Sequence, residues 1–316
     1  MIKSTTLAFA LAAGAFATPA SAATTAYLKS TGSGVACTAA APCVNMIQAV
    51  AVAGAGGEVI CLDKGNYNQS SGFTITQSVT ISCGDGYWEA PAVTVTVTTP
   101  AGSDVVIEGL VIDGEGTGCC SLLFTGQGSL RLHRVRSGNI IGAISNGLEF
   151  KPNGPATLHV SDSIFYNNGG SGILVKPQAG GYANAHIRNT KFERNVHGLF
   201  ADGSASTIGV NVNIIDSATS ENSGNGFGAS TTAGQAAVTM SILNSQISGN
   251  FANGLGAAGA AASGAGSAAI TIGNSMITAN GNGLATAGAG QIRTTGSNML
   301  QSNGSNGAFT GNVGLQ

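Results

Sequence analysis

The sequence predicts an all-β solenoid of stacked coils, and three observations carry that expectation. One pattern recurs from Leu158 to Gly307: apolar-x-apolar-x-[Asp/Asn]-[Ser/Thr]-x-apolar-x-x-Asn, then a Gly and another apolar residue. Its first polar landmark falls at Asp162, Asn189, Asp216, Asn244, Asn274 and Ser297, in steps of 27, 27, 28, 30 and 23 residues. The second landmark, at Asn168, Asn195, Asn222, Asn250, Asn280 and Asn303, repeats the same steps. Two landmarks that keep a fixed gap while the rest drifts mark structural repeats with loops of variable length. Composition agrees: charged residues are 8% and Gly is 49 of 316, far from the usual quarter charged.

Within each repeat, apolar and polar residues alternate over four to six positions, the signature of a strand with one face buried. A repeat of this length cannot close a core alone, so the strands must pair in parallel with those of neighbouring coils. Leu158, Ile187, Ile214, Ile242 and Ile272 are expected to form an inward column. The repeated Asn or Asp suits a sharp corner, because its short side chain tolerates left-handed backbone angles and bonds to nearby backbone. Stacked Asn side chains are expected to form ladders along the axis. The following Gly is expected to relieve backbone strain at a second corner.

Taken from the first residue, the chain opens on an export signal over residues 1–22. Lys3 supplies the positive region, Leu7 to Phe16 the apolar region, and Ala20-Ser21-Ala22 the cleavage site, leaving Ala23 as the mature start. The apolar stretch is shorter than a membrane span needs and Thr18-Pro19 interrupts it, so no span is expected in the mature chain. Residues 23–57 form an N-terminal segment in which Pro42 to Gly54 reads as one short helix, with Val44, Ile47 and Val50 on its apolar face. Its expected task is to cap the solenoid that fills 58–316, since an open apolar column and strand edge invite aggregation. Early strands are expected at 58–62, 73–75, 79–83, 93–97, 105–112 and 130–135. The Gly-, Ala- and Ser-rich run from Gly254 to Ile272 reads as a mobile insertion between coils. No cap is evident over 309–316, which leaves that end open or covered by a partner.

All six cysteines precede residue 121 in a chain bound for an oxidising compartment, which favours disulfides over metal ligands. Cys37 and Cys43 can close a small loop. Cys61 and Cys83 lie in similar strand contexts 22 residues apart, consistent with a bridge between stacked coils. Cys119 and Cys120 are adjacent and either bridge each other or pair elsewhere. No C-x-x-C pair occurs and all four histidines come later, which argues against zinc.

These repeats, with their Asn and Gly landmarks, resemble the right-handed parallel β-helix, the pectin-lyase-like fold. The resemblance spans nearly all of the mature chain and is close to uncharacterised secreted bacterial β-helix repeat proteins; about ten coils are expected. It also implies that Gly56-Gly57-Glu58-Val59 through Gly65-Asn66-Tyr67 mark the entry coil. The fold hosts lyases, hydrolases, epimerases, tailspikes, adhesins and inert scaffolds, so it does not choose a function. Lyases of this kind, as the resemblance implies, use clustered acidic residues holding Ca²⁺ and an Arg or Lys base; the hydrolases use several close Asp with a His. Here no Asp-Asp pair occurs, and Asp162 and Asp216 read as replacements for the corner Asn.

Net charge is −2, without the clustered Lys and Arg that a nucleic-acid surface needs. Charge is nonetheless uneven: from Asn222 onward the only charged side chain is Arg293, whereas 131–221 holds all four histidines. In the repeat register Arg131, His159 and His186 occupy one outward column, continued by Asn213, Ser241 and Thr271. Lys191, Glu193, Arg194, His197 and Asp202 lie farther along one coil, and Lys176 and Arg188 complete the candidate ligand face. The leading expectation is an exported non-catalytic protein, structural or associated with carbohydrate or the cell surface, without cofactor. A polysaccharide lyase, hydrolase or epimerase is the alternative, requiring Glu149, Lys176, Arg188, His197 or Asp202 to converge; an adhesin-like passenger is a third.

Overall fold

The computed structural model describes residues 23–67, 72–89, 94–116, 120–142 and 145–314. The expected signal segment and Cys119 lie outside them. Each repeat makes one turn of a parallel β-solenoid with three strand positions, as in Tyr182–Arg188, Lys191–Glu193 and His197–Asp202. The first two positions merge into one 19-stranded sheet, and the third builds a separate nine-stranded sheet. Eight coils, from that of Val79–Glu89 to that of Ala268–Gly273, carry all three positions, with partial coils at each end. That is slightly fewer than ten, because the first and last coils lack a strand on one side.

Alternation sets the inward face. Ala183, Ala185 and Ile187 are buried while Arg188 is exposed. Register separates the expected column into two: Leu158, Ala185 and Val212 pair in succession, as do Val160, Ile187 and Ile214. Leu158, Ile187, Ile214, Ile242 and Ile272 are all buried, each contributing about 1.5–3 kcal/mol of apolar burial. Aromatic rings fill part of the core. Phe165 and Phe192 stack with centroids 5.8 Å apart, and Phe227 meets Phe192 edge-on.

The two corners use different devices. At the first, Asp162, Asn189, Asp216, Asn244 and Asn274 are themselves left-handed, with φ of 44–53°. Their side chains link coils: Asn189 donates to Asp162 (2.6 Å), Asn244 to Asp216 (3.3 Å) and Asn274 to Asn244 (2.6 Å). At the second corner the left-handed residue is the one before the repeated Asn, namely Asn167, Arg194, Glu221, Gly249, Ala279 and Ser302. The Asn itself, buried in every coil but the last, forms a ladder, Asn168 to Asn195 to Asn222 to Asn250 to Asn280 to Asn303, each Nδ2 donating to the next Oδ1 at 2.8–3.1 Å. Asn168 starts this ladder, since the coil before it carries Ile140 there. Its Oδ1 is accordingly the buried polar side-chain atom without a partner among the described residues.

The following Gly serves close approach rather than left-handed geometry. A Cβ on Gly172, Gly198, Gly226 or Gly254 would lie 2.4–2.8 Å from the carbonyl oxygen of the corresponding Gly one coil on. The Gly254–Ile272 run is also more ordered than its composition suggests. Asn253–Gly259 and Ala268–Gly273 are strands of adjacent positions, with Leu255, Ala257, Ala268 and Ile270 buried, which confines the insertion to 260–267. Gly and Ala suffice there because the ladder hydrogen bonds, not outward side chains, hold the strands.

The N-terminal end is closed by helix α1 (Met46–Ala53), capped by Asn45, whose side chain accepts from the Gln48 N–H, and ended at Gly54. Its buried face is Met46, Ala49, Val50 and Ala53, while Val44 and Ile47 are exposed; the true start at Met46 rotates the face away from the sequence expectation. Thr25–Leu28 precede the helix and pair in parallel with Gly57–Cys61, so a strand of the stack lies before it. Cys37–Cys43 and Cys61–Cys83 are bridged, as the spacing anticipated. Cys120 begins a strand, and its side chain lies outside the described ones. At the other end, Phe309 packs on the core and Gly311–Asn312 pair with Arg293–Thr294, so the tail itself covers part of the last coil.

Candidate functional site

The register brings the predicted outward column together. Arg131, His159, His186, Asn213, Ser241, Thr271 and Arg293 pair in succession on seven coils. Two residues on, a second outward column runs His133, Ser161, Arg188, Ile215, Leu243 and Gly273. Between them lies a groove of about 440 Å³, continued by one of about 380 Å³ that shares His186, Asn213 and Ile215. Ile215 and Leu243 are exposed hydrophobics on its wall. Sequence reasoning missed that wall, although the apolar residues two positions after Asn213 and Ser241 announced it.

The His159 and His186 rings stack with centroids 5.2 Å apart and planes 15° from parallel. Burial lowers the His159 pKa, and the neighbouring Arg131 and His186 add to the shift. Arg131 is fixed by two contacts from Nε to Asp104, at 3.0 and 3.2 Å. Arg188 is exposed, with Nε 3.8 Å from Asp216 Oδ2. His133 Nδ1 lies 2.9 Å from Ser161 Oγ and 3.3 Å from Asp162 Oδ2. The groove therefore presents imidazole, guanidinium, amide and hydroxyl groups, with Asp104, Asp162 and Asp216 behind its Arg131, His133 and Arg188.

The remaining candidates sit elsewhere. Lys191 and Glu193 are on the short strand beyond the first corner. His197 and Asp202 are on the nine-stranded sheet and Lys176 directly follows its strand Ser171–Val175, with Lys176 Nζ 2.8 Å from Asp202. Burial pushes the Asp202 pKa up, but hydrogen bonds from Lys176 and Ser204 outweigh it and hold the carboxyl below its ordinary value. Glu149, on the same sheet, is buried beside Lys151 (3.3 Å) and accepts from Asn146 Nδ2 (2.8 Å). Arg188 thus faces a different side of the solenoid from Glu149, Lys176, His197 and Asp202, and the five do not form one cleft.

Burial also lowers the pKa of His197, whose Nδ1 accepts from the Asn225 N–H at 3.0 Å. For His159 and His197 the unfolded chain binds protons more tightly than the native one. Stability is therefore fully present above the ordinary value of 6.5 and falls as pH drops through the lowered native values. Urea midpoints measured between about pH 5 and 8 are expected to fall on the acid side, and His197→Gln, which keeps an acceptor without titrating, to flatten that fall. Equal acid slopes in the two proteins would contradict this.

A Ca²⁺ centre is not supported by the donors present. The cation takes six to eight oxygens, several from convergent carboxylates. Here Asp104, Glu108, Glu149, Asp162, Asp202 and Asp216 each lie beside a separate basic side chain. Among the described residues no three acidic, His or Cys side chains gather as ligands.

No protein-family model matches the chain, and comparison with curated proteins finds no match. Among solved structures, the crystal structure of pectate lyase Pel9A is similar, with a TM-score of 0.62 and 17% identity over 86% of this chain and 74% of that one. At that identity the likeness is one of fold alone: this chain is a parallel β-helix with the fold seen in that pectate lyase.

Proposed function

We propose that this protein is an exported glycan-binding β-helix that holds a polysaccharide along the groove of the 19-stranded sheet without cleaving it. The observation that carries this reading is the continuous groove itself, lined by Arg131, His159, His186, Asn213 and Ser241; the carboxylates nearest to it among the described residues, Asp104, Asp162 and Asp216, are each engaged by a separate groove-lining base, Arg131, His133 and Arg188. Hydrolysis of a glycosidic bond ordinarily needs a pair of carboxyl groups flanking it. Strand spacing sets donors and acceptors about 4.8 Å apart along the axis, close to the length of one sugar ring, which suits an extended chain. Two disulfides favour an oxidising compartment, and among the described residues no helix is long and apolar enough to cross a membrane. A cell-surface or extracellular polysaccharide is the partner.

The test is a polysaccharide panel applied to the mature protein from Ala23, with and without Ca²⁺, reading retention and the ultraviolet absorbance of unsaturated products. Retention without product is expected. The double variant His159→Ala/His186→Ala should bind about tenfold more weakly, the equivalent of roughly 1.4 kcal/mol. Product formation, with or without Ca²⁺, would overturn the non-catalytic reading, and unchanged binding by the double variant would remove the groove from it.

A further inference from the structure

We propose a second glycan site on the opposite side of the solenoid, on the nine-stranded sheet, selective for an uncharged polysaccharide. It rests on residues that the groove of the 19-stranded sheet does not use. A depression of about 350 Å³ there is lined by His197, Phe200, Asn225, Asn253, Gly256 and Ala285.

The half-buried Phe200 ring reaches over Gly228 of the next coil. A Cβ on Gly228, its partner one coil on, would come within 2.6 Å of the ring, so only Gly admits this pose. His197 stacks against the ring, centroids 4.9 Å apart and planes 26° from parallel. Because its Nδ1 accepts from the Asn225 N–H, its Nε2 carries the proton and is a donor. The two rings form a platform of the kind against which the C–H face of a sugar stacks.

Beyond the platform, Asn225, Asn253 and Asn282 stand on three successive coils. Asn253 donates to Asn225 (2.7 Å) and Asn282 to Asn253 (3.0 Å). Each amide has two N–H groups. The ladder uses one from each of Asn253 and Asn282, and the Nδ2 of Asn225 has no acceptor among the described residues, so unspent donors recur once per coil. The chain from Asn222 onward has no charged side chain but Arg293, which belongs to the other sheet. At the near end, Asp202 is neutralised by Lys176. An aromatic platform followed by an uncharged row of amides suits hydroxyl-rich neutral chains. It offers nothing to balance a carboxylate or sulfate on every sugar.

The experiment is affinity electrophoresis of the mature protein in gels containing hydroxyethylcellulose, galactomannan or dextran, with alginate as the charged comparator. Wild type should be retarded by at least one neutral polymer. Phe200→Ala removes the platform, and Ala285→Arg obstructs the depression from a surface position that does not enter the core. Each should weaken retardation by the neutral polymer about tenfold, while His159→Ala/His186→Ala should leave it intact. Retardation unchanged in both Phe200→Ala and Ala285→Arg, or no retardation by any neutral polymer, overturns the proposal. Loss confined to the double histidine variant would also overturn it, while leaving the first groove standing.

Discussion

Asn222→Ala is expected to lower the unfolding free energy by about 3–5 kcal/mol. Asn222 is fully buried at the middle of the inner ladder. Its Oδ1 accepts from both the backbone N–H (2.9 Å) and the Nδ2 (3.1 Å) of Asn195. Its Nδ2 donates to Thr219 Oγ1 and Asn250 Oδ1, both at 2.8 Å, and reaches Phe192 O at 3.2 Å. Alanine takes a partner from donors on one coil and from acceptors on three, each loss costing about 1–3 kcal/mol where water cannot enter. The same change at Asn303, on the partly exposed last rung, should cost about 1 kcal/mol, because solvent can replace the lost partner. Urea unfolding followed by far-ultraviolet circular dichroism checks the pair, and equal losses at the two positions would refute a ladder stabilised by burial.

That ladder was legible in the sequence because a buried amide must be repeated to be satisfied. Each Asn needs the one above and below, so the spacing of Asn168 to Asn303 shows directly. The Arg131, His159 and His186 column was legible for a related reason: alternation fixes which residues point outward, and the Asn register fixes which ones stack. What stayed hidden depended on geometry between coils. The sequence could not say that Lys176 and Asp202 face away from Arg188, because the angle turned at the second corner is set by Arg194 and its equivalents, whose identities vary. The platform of His197 and Phe200 was equally hidden, since it exists only because Gly228 and Gly224 leave room for the rings. Gly254 to Ile272 looked like a mobile insertion because composition reports side-chain content, whereas parallel pairing there is held by backbone.

The glycine column separates close approach from backbone conformation, and Gly198→Ala is the sharper test. Its backbone is not left-handed, yet a Cβ there would meet Gly226 O at 2.4 Å and Thr219 Oγ1 at 2.5 Å. Neither can retreat freely, for Gly226 belongs to a paired strand and Thr219 is buried and bonded to Asn222. The coils must part locally, and a loss of about 2–4 kcal/mol is expected. Gly234→Ala provides the contrast: φ is 73° with no atom within 4 Å, so only left-handed strain of about 1–2 kcal/mol applies. Parting the coils should also loosen the His197 and Phe200 platform, built on the same coil as Gly198, so binding of a neutral polysaccharide should weaken in Gly198→Ala and survive in Gly234→Ala. If the two variants instead lose stability equally, the glycines are retained for their backbone angles, and the packing of coil on coil is looser than these distances require.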